Sequence, residues 1–594
     1  MRLPVSSTLR PRRSPLITVA RSKRAYNVAV LGGGITGLSA AWRLMQDHQC
    51  SHVTLYEKSS RVGGWMGSEI VPVDDGKILF EYGPRTFRSA YPGSQPLLYM
   101  ALKMGLLPEL IAVPPEAPSS NNRYIYYPDH LVRVPQPKPG GTLLQWLKEL
   151  VTTLWNEPLF DKLIPGIIND TVSPARPIDQ WQQDESIASF ISRRFNPTVA
   201  DNIVSSVIHG IYAGDIDKLS AQTTLGVVRN MEASGGILAN ATTMLHNDNR
   251  TRMMDDYLAI NDLKKLITKD EEAMSKHLSK RSSIFTFEKG TQQLTDRLAV
   301  VLQESGKVDI RTNTEVQKLS KTPMGTLTIN DGEKQETYDH VISTVPSPVL
   351  AKILSPKANH PAHLVPKTIE KLKQNDYATT VMVVNLYYPN LKLPVVGFGY
   401  LIPRSISIDQ NPEHGLGVLF ASASSTARDV INSSVTKSQD SVNGQKITVM
   451  LGGHYWDDWK KTDYPDHETA VAMATKMLQR HLGITDVPTV TRSRLQYKAI
   501  PQYTVGHLDR MYDLSATVKN EYNRRLVLAG NWYNGVGVGD CVRQGILAAT
   551  YGIGRGNPNF DREGPWTTFK VQAWDLQGGI PTSPVRLVEV DKNA

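Results

Sequence analysis

The sequence is poor in cysteine, with only Cys50 and Cys541 in 594 residues. That scarcity excludes a disulfide framework and a cysteine-rich metal centre, so no metal is expected. Any run of about eighteen apolar residues, the least that a spanning helix needs, is also missing, and no membrane-crossing helix is expected. Acidic residues are absent from the first twenty-five positions, which carry Arg2, Arg10, Arg12, Arg13, Arg21, Lys23 and Arg24. A basic, serine-containing leader without Asp or Glu has the composition of a mitochondrial transit peptide, and residues 1–24 are read that way. The alternative is a basic arm for nucleic acid or anionic lipid. Much of the formal net charge of +9 sits in this leader, so the charge does not argue for a nucleic-acid partner. The rest is ordinary for a globular protein, 40% hydrophobic and 21% charged, and the length suits two or three domains.

What is present begins with a βαβ unit. Tyr26 to Leu31 reads as a strand, Gly32 to Gly37 as a tight turn, Leu38 to Asp47 as a helix and Val53 to Tyr56 as a second strand. Mainly helical sequence follows from about Gly141 to Leu219, with Leu143 to Ile168 rich in Leu, Ile and Trp. Asn247 to Arg281, dense in both charge signs, predicts exposed helices of little functional content. The α/β pattern returns with strands at Phe285–Phe287, Val308–Ile310 and Val341–Val345 and a helix around Leu294–Gln303. Further strands are predicted at Val381–Leu386, Gly397–Ile402, Gly417–Ala421 and Ile447–Gly452, then a last strand at Leu526–Ala529 and a helix at Asp540–Tyr551. The serine-rich interval Ser422 to Gln445 reads as a surface loop.

Gly32, Gly34 and Gly37 fit G-x-G-x-x-G between a strand and a helix, where glycines permit the tight turn, the approach of amides to a pyrophosphate and close helix packing. Glu57 ends the next strand, where a carboxylate can accept ribose hydroxyls; otherwise it is a solvated strand-end charge. This motif serves NAD and FAD alike. Three further segments point to FAD: Arg61-x-Gly63-Gly64-Trp65, FEYGPR at Phe80–Arg85, and LVLAGNWYNGVGVGD at Leu526–Asp540 leading into a helix. An N-terminus aimed at a flavin favours negative charge developing on the reduced ring. The plain alternative is a glycine-rich loop.

In order and spacing these segments resemble the flavin amine oxidase superfamily, from about Tyr26 to Ile553. Within it NRYIYYP, GIYAGD, VVGFGYLIP, VMLGG and IPQYTVGH are most similar to the protoporphyrinogen oxidase family. The resemblance implies an α/β fold: a Rossmann-like FAD-binding domain of the amine oxidase and GDP-dissociation-inhibitor type, a mixed-sheet substrate domain and a helical membrane-associating domain. It implies one non-covalent FAD per chain. Gly32, Gly33, Gly34, Ile35, Thr36 and Gly37 would hold the pyrophosphate and Glu57 the ribose, with Lys58, Arg61 and Gly64 beside them. Trp65, Gly83, Pro84, Arg85 and Thr86 would meet the middle of the cofactor, the Val316 backbone the adenine, and Asn531, Val536, Gly537 and Val538 the flavin. Arg123 would pair with a substrate propionate, Phe398 and Leu401 sandwich a pyrrole with Met450 opposite, and the Gly210 backbone approaches the substrate. Without the resemblance, Phe398, Leu401 and Met450 read as core, Arg123 as a surface charge and Val316 as a strand residue.

The expected division is 1–24 leader; 25–90, 286–345 and 495–556 FAD-binding; 91–127, 226–285 and 346–494 substrate-binding; 128–225 helical; and 557–594 C-terminal extension. The implied reaction is the six-electron oxidation of protoporphyrinogen IX by dioxygen with release of three hydrogen peroxides, the penultimate step of haem synthesis. No catalytic acid or base is assigned. The implied setting is the mitochondrial inner membrane, bound peripherally, with ferrochelatase and a second copy of the chain as candidate partners. Competing readings are another amine oxidase or desaturase of the superfamily, and a non-enzymatic binding protein like the GDP-dissociation inhibitors. The lysine of Lys289-Gly290 departs from the paired glycines of many relatives.

Overall fold

The computed structural model describes residues 25–89, 91–136, 142–174, 183–232, 236–238, 251–355, 366–429, 435–553, 578–581 and 587–589. The leader and most of the C-terminal extension lie outside the described residues.

Two sheets position everything else. The first has five parallel strands in the order Val308–Arg311, Cys50–Tyr56, Tyr26–Leu31, His340–Ser343, Leu526–Leu528. Its central strands are apolar on both faces, as a parallel sheet covered by helices requires. The helices Ile35–Met45 and Val538–Leu547 pack against each other on one side, and Leu294, Leu298 and Leu302 of the helix Gln292–Glu304 join the same core. Ligands bind such sheets at the carboxyl ends of the strands, the end where both glycine-rich turns lie.

The second sheet is mixed and seven-stranded: Val490–Pro501, Ala378–Tyr388, Gln445–Gly452, Gly415–Phe420, Gly399–Leu401, Arg123–Tyr126, Leu131–Arg133. Only the Gly399–Leu401 and Arg123–Tyr126 pair is parallel. Ala378–Tyr388 is buried along all eleven residues, because the helix His467–Leu482 covers one part of the sheet and the cofactor and helical layers approach elsewhere. The helical layer runs from Leu143–Asn156 to Gly226–Met231 and has its own core around Ile187, Phe190, Ile208, Leu219 and Tyr503. The α/β class with a second, mixed sheet matches the expectation. Among the described residues no helix is long and apolar enough to cross a membrane.

Two expectations are overturned. The charged stretch ending at Arg281 is not simply exposed: on the helix Met254–Lys264, Asp255, Asp256 and Asp262 are buried. Asp262 pairs with Arg43 at 2.5 Å and accepts from the Thr550 hydroxyl at 2.9 Å. Charge density signals exposure only while the charges lack partners, and these partners lie hundreds of residues away in sequence. The serine-rich interval is likewise more than a surface loop. Thr426–Arg428 and Thr436–Ser438 form a hairpin, and buried Gln439 donates to the Phe287 carbonyl at 2.9 Å. Asp440 accepts from the Leu79 amide and from buried Lys446, both at 2.8 Å.

The chain also returns to the first sheet near its end. Gly579 bridges to Val527 in parallel, and its carbonyl accepts from the Leu528 amide at 2.7 Å. Leu587–Glu589 pairs with Thr251–Met253.

Candidate functional site: a nucleotide cradle and an apolar wall

The strand Tyr26–Leu31 delivers the chain to Gly32, whose φ of +99° lies in the left-handed region that favours glycine. A Cβ on Gly37 would overlap the Gly32 carbonyl oxygen, so the helix can close onto the strand only with glycine there. Gly34 precedes the helix with nothing within 4 Å of its own Cβ position, and no side chain caps the helix start. Free amides and open space thus coincide, as a pyrophosphate needs. Ile35 and Thr36 point into the core.

Glu57 shapes this turn as well as facing it. Its carboxylate accepts from the Gly33 and Ser59 amides, each at 2.8 Å, and each oxygen keeps a further lone pair for a ribose hydroxyl. The Glu57 carbonyl accepts from the Thr314 amide at 2.9 Å, which brings the turn before buried Val316 to the same strand end; Lys58 is exposed. The second glycine turn lies directly on the first, with the Gly63 amide donating to the Gly33 carbonyl at 2.8 Å. Arg61 organises that turn, donating to the carbonyls of Val62, Met66 and Gly64 at 3.0 Å. Exposed Trp65 touches Gly83, where a Cβ would overlap the Trp65 carbonyl. Beyond Pro84, the Arg85 guanidinium turns inward to the Thr448 hydroxyl at 2.8 Å, while Thr86 is half-buried. Burial lowers Arg85 to about 10 and raises Glu81 to about 7.

At the other end, Gly537 caps the helix Val538–Leu547, its amide donating to Asp540 at 3.2 Å. A Cβ on Gly545 would overlap the Thr36 carbonyl, so the two glycine-led helices meet with almost no space between them. Side chains from three other segments hold the loop. Asn534 donates to Asp255 at 2.9 Å; Arg543 bonds Asp256 at 2.6 Å and Asp540 at 3.1 Å. The Tyr503 hydroxyl donates to the Asn531 carbonyl, and His507 Nε2–H donates to the Tyr533 carbonyl at 3.0 Å. Burial lowers His507 to about 4, which keeps it neutral. Burial also raises Asp540, with Asp256 adding to the shift and Arg543 opposing it. Half-buried Val536 packs against the helical layer.

The remaining candidates form two groups. Gly210, Leu401 and Met450 meet at one: the Leu401 side chain fills the space that a Cβ on Gly210 would need, and Gly417 registers with both Leu401 and Met450. Phe398 and Arg123 form the other, with the guanidinium 5.1 Å from the ring centroid. Gly399, at φ +146°, joins them, and any Cβ there would overlap the Val418 carbonyl. Gly210 lies in the last turn of the helix Ser205–Tyr212, and no Gly214 amide bonds its carbonyl. A histidine pair braces this wall. His209 Nδ1–H donates to the Ile402 carbonyl at 2.7 Å, which leaves Nε2 to accept from His454 Nε2–H at 2.9 Å.

Comparisons with known proteins decide the family. Residues 35–551 match the family described as flavin containing amine oxidoreductase. The chain belongs to this family. This flavin amine oxidoreductase is 34% identical to the protoporphyrinogen oxidase of Schizosaccharomyces pombe, over 88% of its own length and 98% of the relative's. It is 28% identical to the Homo sapiens protoporphyrinogen oxidase, covering 89% and 98%. Among solved structures, a candidate protoporphyrinogen oxidase from Exiguobacterium sp. 255-15 superposes with a TM-score of 0.64 at 20% identity, covering 88% of this chain and 98% of that one. Reduced UDP-galactopyranose mutase superposes at 0.55 and 13% identity, covering 90% and 96%. These last two support the fold alone.

The flavin amine oxidoreductase takes FAD, and its residues fit that group: an open, uncapped helix start at Gly34, the Glu57 carboxylate beside that turn and a second helix start at Gly537. Several groups that shape the site escaped the sequence reading, namely Asp255, Asp256, Arg543, Tyr503 and His507. Tyr503 and His507 stand in IPQYTVGH, quoted above only as a family marker. The aspartates carried no local signal, since the partners that bury them are Asn534 and Arg543.

Proposed function

We propose that this enzyme oxidises protoporphyrinogen IX to protoporphyrin IX, with dioxygen as acceptor and hydrogen peroxide as by-product. The observation that carries the reading is an apolar wall of Leu401, Gly210 and Met450 beside a guanidinium, Arg123, that has no carboxylate partner among the described residues. A flexible apolar macrocycle with propionates needs those two features together. The similarity to enzymes named protoporphyrinogen oxidase supports the same substrate.

Bound FAD supplies the two-electron acceptor. The chain's residues orient the macrocycle and complement the charges that hydride removal creates. The helix Ser205–Tyr212 presents its C-terminal end, with the Gly210 carbonyl, to the substrate wall, where positive charge develops as hydride leaves. Its carbonyl can accept a pyrrole N–H as the ring acidifies. The helix Val538–Leu547 starts at Gly537, among the residues that would line the flavin, and its N-terminal end would there favour negative charge on the reduced ring. No side chain is assigned as the proton acceptor.

The protein is read as mitochondrial and peripheral to the inner membrane. Supporting that reading, Ile164, Ile168 and Val172 are 54%, 58% and 72% exposed at four-residue intervals along one helix, and Trp155 on the preceding helix is 85% exposed. Such a stripe suits lipid better than water. The domain division given above, ferrochelatase and a homodimer remain part of this proposal. Anaerobic purification followed by protoporphyrinogen IX and air tests the function: porphyrin fluorescence and peroxide are expected. Their absence from protein that retains flavin absorbance would overturn the assignment.

A further inference from the structure

Arg88 lies on the short strand Phe87–Arg88, which pairs with Ile284–Phe287, which in turn pairs with Leu110–Val113. Ile284 registers with Arg88 on one side and with Val113 on the other, so the three side chains stand in one row on one face. Ile111, Val113 and Ile284 on that face form the cluster against which Phe398 packs. The Arg123 guanidinium lies over the same Phe398 ring. Arg88 and Arg123 therefore stand around a single aromatic side chain, close enough that Arg88 depresses the pKa of Arg123 beyond the larger effect of burial.

Two guanidinium groups held together repel, and nothing among the described residues offsets it. Among the described residues neither has a carboxylate partner; Phe87, by contrast, faces the core of the first sheet and leaves exposed Arg88 turned the other way. Like charges brought together without a counter-ion fit a site for an anion with two charges. We propose that Arg88 and Arg123 form a two-cation clamp about Phe398 that takes both propionates of the tetrapyrrole, one each. Phe398 packs on the apolar face that Arg88 borders and carries the Arg123 guanidinium over its ring, and the apolar rings of the substrate would continue toward Leu401 and Met450. Arg88 thereby determines specificity for a dicarboxylate rather than taking part in electron transfer. Arginine suits the task because its planar fork matches a carboxylate and stays charged when desolvated.

The clamp rests on the substrate reading above, so its test must separate the two. Holoenzyme variants are assayed by porphyrin fluorescence with protoporphyrinogen IX and with its dimethyl ester, which keeps the rings and lacks both charges. Arg88→Gln is expected to raise the ratio of diacid to diester KM about tenfold, the size of one charge-assisted pair, with kcat for the diacid within about twofold. Arg88→Lys is expected to recover part of that ratio, which a purely structural role for Arg88 would not produce. Arg123→Gln is the internal control. If it shifts the ratio and Arg88→Gln does not, the clamp is overturned while the substrate site stands. If neither shifts it, the site reading fails and the clamp with it. Flavin absorbance of each variant confirms that the cofactor domain is folded, and Arg88→Lys carries the test should the glutamine variant not fold.

Discussion

The two ends of the cofactor cradle are both built on glycine, yet they are held by opposite means. At the nucleotide end the contacts are short-range and mostly backbone: Gly37 lies against the Gly32 carbonyl and the Gly63 amide donates to the Gly33 carbonyl, with Glu57, Arg61 and Thr344 as side-chain partners. At the flavin end the loop 530–537 is suspended from buried Asp255, Tyr503 and His507 of distant segments and from Gln544 of the helix that follows, while Arg543 ties that helix to Asp256. A turn specified by backbone contact can be recognised locally. A turn specified by remote partners cannot.

The largest effect should come from the flavin end. Asp256→Ala removes the shortest of the ion pairs of buried Arg543, and a loss of about 3 kcal/mol in denaturant unfolding is expected. A loss no greater than that of a surface substitution would show that the network is not what suspends the loop. Gly37→Ala should cost about 2 kcal/mol by overpacking against main chain that cannot yield, and should abolish flavin absorbance. Retained FAD at wild-type affinity would contradict the backbone account. Tyr503→Phe removes one hydrogen bond and is expected to cost about 1 kcal/mol while flavin stays bound.

The smallest effect concerns pH at the substrate wall. Burial, reinforced by His454, holds His209 down at about 3, below the ordinary histidine value of 6.5. The unfolded chain therefore takes up a proton that the folded chain refuses, and stability present above pH 6.5 is lost as the pH falls toward 3. His209→Asn should flatten that acid limb and lower stability at neutral pH by about 1 kcal/mol. An unchanged acid slope would mean that the pair is not the titrating element.

The contrast between the two ends also explains what was legible in the sequence. The βαβ unit, Gly32 to Gly37 and the helix near Asp540 follow from short-range spacing, and the strand boundaries shift by only a few residues. Arg61 and Arg85 sit in the expected segments, but whether a guanidinium faces outward or binds neighbouring carbonyls is a tertiary fact. The misjudged stretches failed for that same reason. Asp255 and Asp256 look like a solvated helix face until Asn534 and Arg543 are folded over them, and Gln439 and Asp440 look like loop residues until Phe287 and Leu79 arrive. Leu401 and Met450 read as ordinary core without the family resemblance, because the space that Gly210 leaves for Leu401 exists only after the helical layer docks on the mixed sheet.

The contact between Thr36 and Gly545 carries a consequence for biosynthesis. The first helix of the cradle leaves the ribosome roughly 500 residues before the helix it must touch, and Gly579 joins the sheet later still. Until that second helix is made the nascent chain carries a dinucleotide turn without its other half. The cofactor thus has no complete seat until the segment around Gly545 has been synthesised, and full loading of FAD must follow that point.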